Sequence, residues 1–217
     1  TKASMGVYVF SKDKLYDYLI ADEADETSEK DFGKNVIPAM LAGGEKLYAY
    51  PFKGYWKDVG TIDSLWEANM DLLGDRPALN LNNSSWRIFS RHASNPPHFL
   101  GYGAEVENSL ITGGCEIYGT VINSVLSGGV KVAKGAVVRD SIIMRDCVIS
   151  ENATVEYSIM DSDTVVGVNS KVGEAKEQGK GIALIGSGLD IKAGTVILGG
   201  VRADEAYLNK LYEGKEE

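Results

Sequence analysis

From about residue 104 the aliphatic residues return once every five or six positions, separated by small residues and turn formers. Four near-copies mark the period: Asn108-Ser-Leu-Ile, Asn123-Ser-Val-Leu, Asp140-Ser-Ile-Ile and Tyr157-Ser-Ile-Met, whose serines lie 15, 17 and 17 residues apart. Three short steps fill each period. This is the pattern of hexapeptide repeats, in which each step forms one flat face of a triangular coil. A strand so short cannot bury its own apolar side, so coils must stack around a continuous column of Ile, Val and Leu. Crossover rules favour right-handed connections, whereas hexapeptide coils wind left-handed, and a left-handed parallel β-helix is expected. The glycine pairs 113–114 and 128–129 fall at coil corners, where positive φ is needed, and do not form a phosphate loop. Residues 174–183 (EAKEQGKGIA) interrupt the pattern, residues 189–201 resume it, and AYLNKLYEG reads as a closing helix.

The first part of the chain is patterned differently. In KASMGVYVF, Met5, Val7 and Val9 alternate with Gly6, Tyr8 and Phe10, which predicts a strand already under way at the start. SKDKLYDYLI predicts a helix capped by Ser11, with Leu15, Tyr18 and Leu19 on one face. The acidic stretch 21–31 reads as a solvated loop. A second helix is expected from about Phe32 to just before Gly43, with Pro38 placed awkwardly inside it, and residues 46–52 alternate as another strand. In YWKDVGTIDSLWEANMDLLG, Thr61 is a good N-cap, Ile62, Leu65, Trp66, Met70 and Leu73 keep helical spacing, and Gly74 supplies the stop. Asp58-Val-Gly therefore sits where an extended segment feeds a helix, a junction at which α/β enzymes place ligands.

These elements predict an α/β plus all-β chain in three parts: an incomplete α/β domain over 1–75, a proline-bearing linker over 76–103, and the β-helix over 104–217. A formal net charge of −9 disfavours a nucleic-acid surface. No apolar run approaches the length of a membrane span. The two cysteines, Cys115 and Cys147, lack the spacing of a zinc site and read as reduced and buried.

KASMGVYVF, DFGKNVIP and GYWKDVGTIDSLWEANMDLL, followed by hexapeptide coils, together resemble the bacterial glucose-1-phosphate adenylyltransferases over nearly the whole chain. The resemblance implies the carboxy-terminal part of a Rossmann-like nucleotidyltransferase domain ahead of the β-helix. It also implies a cytoplasmic enzyme that joins ATP and glucose 1-phosphate into ADP-glucose and pyrophosphate for glycogen synthesis. Mg2+ is the implied cofactor, a phosphorylated metabolite the implied allosteric ligand, and a homotetramer or heterotetramer with a related subunit the implied assembly. The family's glycine-rich nucleotide loop, a first magnesium aspartate and a sugar-phosphate lysine do not occur in these residues, so the chain by itself is expected to make no ADP-glucose.

The same resemblance assigns roles. Asp58, in the Trp-Lys-Asp-Val-Gly motif, is expected to be catalytic and to hold the metal; its alternative is a turn aspartate serving the helix after Thr61. Ser4 is expected to hydrogen-bond the glucose. Tyr8, on the same face by period two, either touches sugar or packs. Asp31 is expected to bind sugar hydroxyls with Phe32 beside it, although an aspartate there also makes a good N-cap. Glu29-Lys30 stand where relatives often carry Ser-His. Trp56 either stacks on the sugar face or fills the core. Arg87 and Arg91, beside His92 and His98, are candidates for the regulatory site or form a solvated basic loop. Competing readings are a non-catalytic regulatory subunit of the same complex, a sugar nucleotidyltransferase using another nucleotide, and a hexapeptide acyltransferase. Residues 104–172 contain no histidine to serve as an acyltransferase base.

Overall fold

A computed structural model describes residues 3–86, 88 and 94–213 and divides the chain into two compact units, Thr1–Trp56 and Lys57–Glu217.

In the second unit, eighteen strands of two or three residues form three six-stranded parallel sheets. Each strand pairs with the third strand on in sequence, so six coils stack as a three-faced prism opening at Phe99–Leu100. Register places like on like. One interior column is Ile117, Val132, Ile149, Val166 and Ile191. A second runs from Val121 through Val138, Val155 and Val172 to Ile197. A third is Leu126, Ile143, Met160, Ile185 and Ala203. All are buried. The expected hexapeptide β-helix is therefore present, with the repeat serines in equivalent positions.

Two residues before most interior aliphatics sits a small residue, and the serines are one such column. Ser124 and Ser141 each donate to the carbonyl two residues back, at 2.7 and 2.6 Å. Each also accepts the next serine's backbone N–H, at 3.1 and 3.2 Å. A fully buried hydroxyl is thereby satisfied twice, and it ties one coil to the next. Cys115 and Cys147 occupy the equivalent column of another face, both free and buried. Burial pushes both thiols above their ordinary pKa, so they remain protonated packing groups.

The corners need left-handed backbone. Gly114 and Gly129 supply it at φ 80° and 79°, joined by Asp146 at 58° and Asp163 at 61°. Only the second glycine of each pair has positive φ. A Cβ on Gly129 would crowd the Asp146 carboxylate, which would have to turn aside, so the positive φ is the stronger reason for glycine at this corner. Asn108, Asn123 and Asp140 fill a second corner at φ 40–48°. Tyr157 continues that column at φ 42°, a conformation costing a bulky side chain about 1–2 kcal/mol.

What offsets that strain is helix α3 (Ile62–Met70), which lies against the coils. Its N-terminus closes a capping box between Thr61 and Ser64. Trp66 is buried with Ile142, Ile159 and Ile182 and donates its indole N–H to the Asp140 carbonyl at 2.7 Å. Tyr157 meets Trp66 edge-on at 5.1 Å. The Lys176 ammonium, from the inserted segment 174–183, stands 4.4 Å from the Trp66 ring. Burial, with the Asp63, Glu67 and Asp140 carboxylates nearby, raises the Tyr157 phenol pKa. The last coil is covered by α4 (Glu205–Glu213), the expected closing helix, with Leu208 buried beneath it.

The first unit departs from expectation in several places. Residues 5–10 and 46–52 form no strand, because a strand exists only through a ladder partner and the described residues of this unit offer none. Val9 is 98% exposed and Tyr48 88%. The first helix (Lys12–Ala24) runs into the acidic stretch instead of stopping before it. Ser11 takes the N-cap position without a side-chain bond. Lys30, at φ 57°, turns its ammonium onto the Asp22, Glu23 and Asp25 carbonyls, which satisfies that helix's C-terminus and folds the acidic segment back. Pro38 sits at the start of a short helix (Ile37–Ala42) preceded by a π-helical turn over Phe32–Val36. The wider turn accommodates a residue that has no N–H to donate.

Trp66→Ala is expected to destabilise the second unit by about 3–5 kcal/mol, and Trp66→Phe, which loses only the bond to Asp140, by about 1–2 kcal/mol. Urea unfolding followed by circular dichroism separates the two.

Candidate functional site

In the first unit the Ser4 and Tyr8 hydroxyls meet at 2.7 Å, and Ser4 Oγ also accepts the Gly6 N–H at 3.1 Å. The Tyr8 ring stacks on Phe32 at 5.8 Å, and Phe10 completes a three-ring cluster at the same spacing. Ser4, Tyr8 and Phe32 thus come together, with Asp31 next in the chain. Phe10 was not singled out in the sequence; the period-two alternation that pairs it with Tyr8 was the available signal.

Asp31 caps the π-helical turn. Its Oδ1 accepts the Gly33 N–H at 2.7 Å and the Lys34 N–H at 2.8 Å. A Cβ on Gly33 would lie 3.3 Å from that oxygen, so the tight cap and the glycine belong together. Both cap bonds fall on this one carboxylate oxygen. Trp56 is 46% exposed and closes the first unit.

Asp58 lies on the exposed segment leading into α3 in the second unit. Its Oδ1 accepts the Gly60 N–H at 3.0 Å. Asp58 therefore braces its own turn, while Thr61 and Ser64 cap the helix. Lys57, immediately before it, reaches Glu67 at 3.0 Å and Asp71 at 3.2 Å on α3. Those partners, Glu67 first, hold the Lys57 ammonium above the usual lysine range. Among the described residues no cluster of three or more His, Cys, Asp or Glu side chains is arranged to enclose a metal. A single exposed carboxylate fits a hard cation that takes most of its ligands from water and phosphate. Arg87, Arg91 and His92 lie outside the described residues; His98 is exposed. No helix among the described residues is long and apolar enough to cross a membrane.

The nucleotidyl transferase family model matches residues 1–75. The model of the GlmU-like carboxy-terminal hexapeptide matches residues 100–201. A glucose-1-phosphate adenylyltransferase of Clostridium kluyveri is 48% identical over 91% of this chain and 51% of its own length. Those of Desulforamulus reducens and Bacillus cereus are 47% and 50% identical, over 79% and 76% of this chain and 43% and 44% of their own lengths. Along both matched regions the chain is similar to glucose-1-phosphate adenylyltransferases. It spans about half the length of the curated relatives it matches.

Asp31→Ala is expected to cost about 1 kcal/mol of local stability, whereas Asp31→Asn, which keeps an acceptor, costs little. Hydrogen exchange at the Gly33 and Lys34 amides reads this directly: faster with Ala, near wild type with Asn.

Proposed function

We propose that these residues supply the sugar side and one metal carboxylate of an enzyme that makes ADP-glucose and pyrophosphate from ATP and glucose 1-phosphate. The observation that carries this reading is the arrangement around two family motifs. Ser4, Tyr8 and Phe32 gather beside Asp31, and Asp58 stands exposed on a turn braced against a buried helix.

The step is a displacement at the α-phosphorus of ATP. An oxygen of the sugar phosphate forms the new P–O bond as the bridge to the β-phosphate breaks, and pyrophosphate leaves with the electron pair. Such transfers depend on positioning and charge neutralisation rather than on a protein nucleophile. Ser4 and the free oxygen of Asp31 hold sugar hydroxyls by hydrogen bonds. Tyr8, Phe32 and Trp56 offer ring faces to the apolar face of the pyranose. Asp58 holds a divalent cation, Mg2+, through the carboxylate edge that Gly60 leaves free. When bound, that cation offsets the charge developing on the transferring phosphate. The enzyme is cytoplasmic and tetrameric, and Arg87 and Arg91 serve a phosphorylated regulator.

The test joins this chain to the amino-terminal half of one of its relatives and measures pyrophosphate release from glucose 1-phosphate with ATP or UTP. ATP is expected to be preferred. Asp58→Ala is expected to lower kcat/KM about a hundredfold or more, ~3 kcal/mol of transition-state stabilisation. Equal rates for Asp58→Ala and the parent would leave Asp58 as a turn residue only.

A further inference from the structure

We propose that Lys57 is a positioning residue for Asp58: by binding Glu67 and Asp71 it fastens the segment 57–61 along α3 and fixes where the Asp58 carboxylate points. The inference rests on the metal role of Asp58 proposed above.

The segment is tied to one helix at both ends. At its far end Thr61 caps α3, accepting the Ser64 N–H at 3.2 Å and sharing a side-chain bond with Ser64 at 2.9 Å. At its near end the Lys57 ammonium lies 3.0 Å from Glu67 and 3.2 Å from Asp71. Four extended residue steps span about 13 Å. The ten-residue rise from Thr61 to Asp71 is about 15 Å. An extended strand running back along the helix therefore brings Lys57 level with the helix's C-terminal half, where a cation also meets the favourable end of the dipole. Between the two ties lie only Asp58, Val59 and Gly60. Asp58 is itself folded onto Gly60 at 3.0 Å, and a Cβ on Gly60 would stand 3.2 Å from that same carboxylate oxygen.

The helix is a firm base for such a tie, because Trp66 is buried and bonded to the coil carbonyl of Asp140. Lys57 and Asp71 are 26% and 33% exposed, so their pair is the partly shielded one, whereas Glu67 reaches Lys57 from the surface. Without this tie, the near end of the segment is released and the carboxylate samples a wider arc. The order a cation needs must then be supplied at binding.

The sign of the effect separates positioning from charge. Lys57 is a positive charge next to a cation site. Were its role only electrostatic, removing it would tighten cation binding; as a positioning residue, removing it weakens binding. The experiment titrates the chain, joined to a relative's amino-terminal half, with Mn2+ alone. The hexaaquo signal in electron paramagnetic resonance measures free metal. Thermal unfolding of each variant confirms the fold, and KM and kcat are measured alongside. Lys57→Met is expected to weaken Mn2+ binding about tenfold, as loss of an orienting partner does elsewhere, and to lower kcat more than it raises the KM for glucose 1-phosphate. Lys57→Arg, whose guanidinium reaches the same two carboxylates, is expected to restore wild-type binding. Unchanged or tighter binding by Lys57→Met overturns the proposal, as does a Lys57→Arg variant as weak as Lys57→Met. If Asp58→Ala binds Mn2+ as the parent does, the metal role itself falls and takes this inference with it. That outcome is distinct from a normal Asp58 effect with no Lys57 effect.

Discussion

Each coil must turn three corners, and the corner backbone is what the architecture depends on. The interior columns stack only if strands of two or three residues return in register, and that return is made by left-handed residues at fixed places. Glycine meets the demand at Gly114, Gly129 and Gly135, and Asn or Asp meets it at Asn123, Asp140, Asp146, Asn152, Asp163 and Asn169. Part of the chain's acidity thus has an architectural origin. Asp140, Asp146 and Asp163 contribute to the net charge of −9 as corner residues, not as a field directed at a ligand.

The exception to that rule shows how the coil is used. Tyr157 takes a corner conformation that suits Asn, and its ring stands edge-on against Trp66 of α3, with Lys176 over both rings. An aromatic pair with a cation above it contributes enough to hold a bulky side chain at positive φ. The strained corner lies where the helix docks, next to the Asp140 carbonyl that accepts the indole N–H. The second unit is accordingly both a stack of coils and a platform. The helix it carries is preceded, within four residues of its start, by Asp58.

The coils were legible because their signal repeats. One aliphatic in each step, with a serine at 109, 124, 141 and 158, leaves a single register in which all interior columns close. The α3 N-cap was legible for a different reason: Thr61 follows a local rule that needs no partner, whereas the helix ends at Met70 with Asp71 at its C-cap, short of the stop expected at Gly74. The strands at 5–10 and 46–52 failed because alternation describes one side of a pair and cannot supply the other. The acidic segment is largely exposed, as its charge suggested, but its first residues continue the first helix to Ala24; the Lys30 bonds to the Asp22, Glu23 and Asp25 carbonyls that close that helix leave no periodic trace. Lys57 was passed over as well. Glu67 and Asp71, spaced i and i+4 on one helix face, were the sign that a cation would lie along that face.

A hydroxyl pair, a half-engaged carboxylate and three aromatic rings suit a neutral polyol, since hydroxyls bond to hydroxyls and ring faces cover C–H edges. They do nothing for a phosphate. The two lysines nearest Asp31 in the chain are committed to protein groups, Lys30 to carbonyls at the end of the first helix and Lys34 to Glu29. A sugar phosphate held at these groups would therefore keep its negative charge largely unmatched by them. Under the proposed function, neutralisation is the part assigned to a cation held by Asp58. The bond from Lys57 to Glu67 and Asp71 acquires its significance from that division of labour. If the proposed function holds, sugar recognition is distributed over several weak contacts and charge neutralisation rests on one exposed carboxylate, so that carboxylate is the group whose orientation has least redundancy. It is also the group that this chain ties down, through Gly60, Lys57 and Thr61, to a helix with a buried tryptophan.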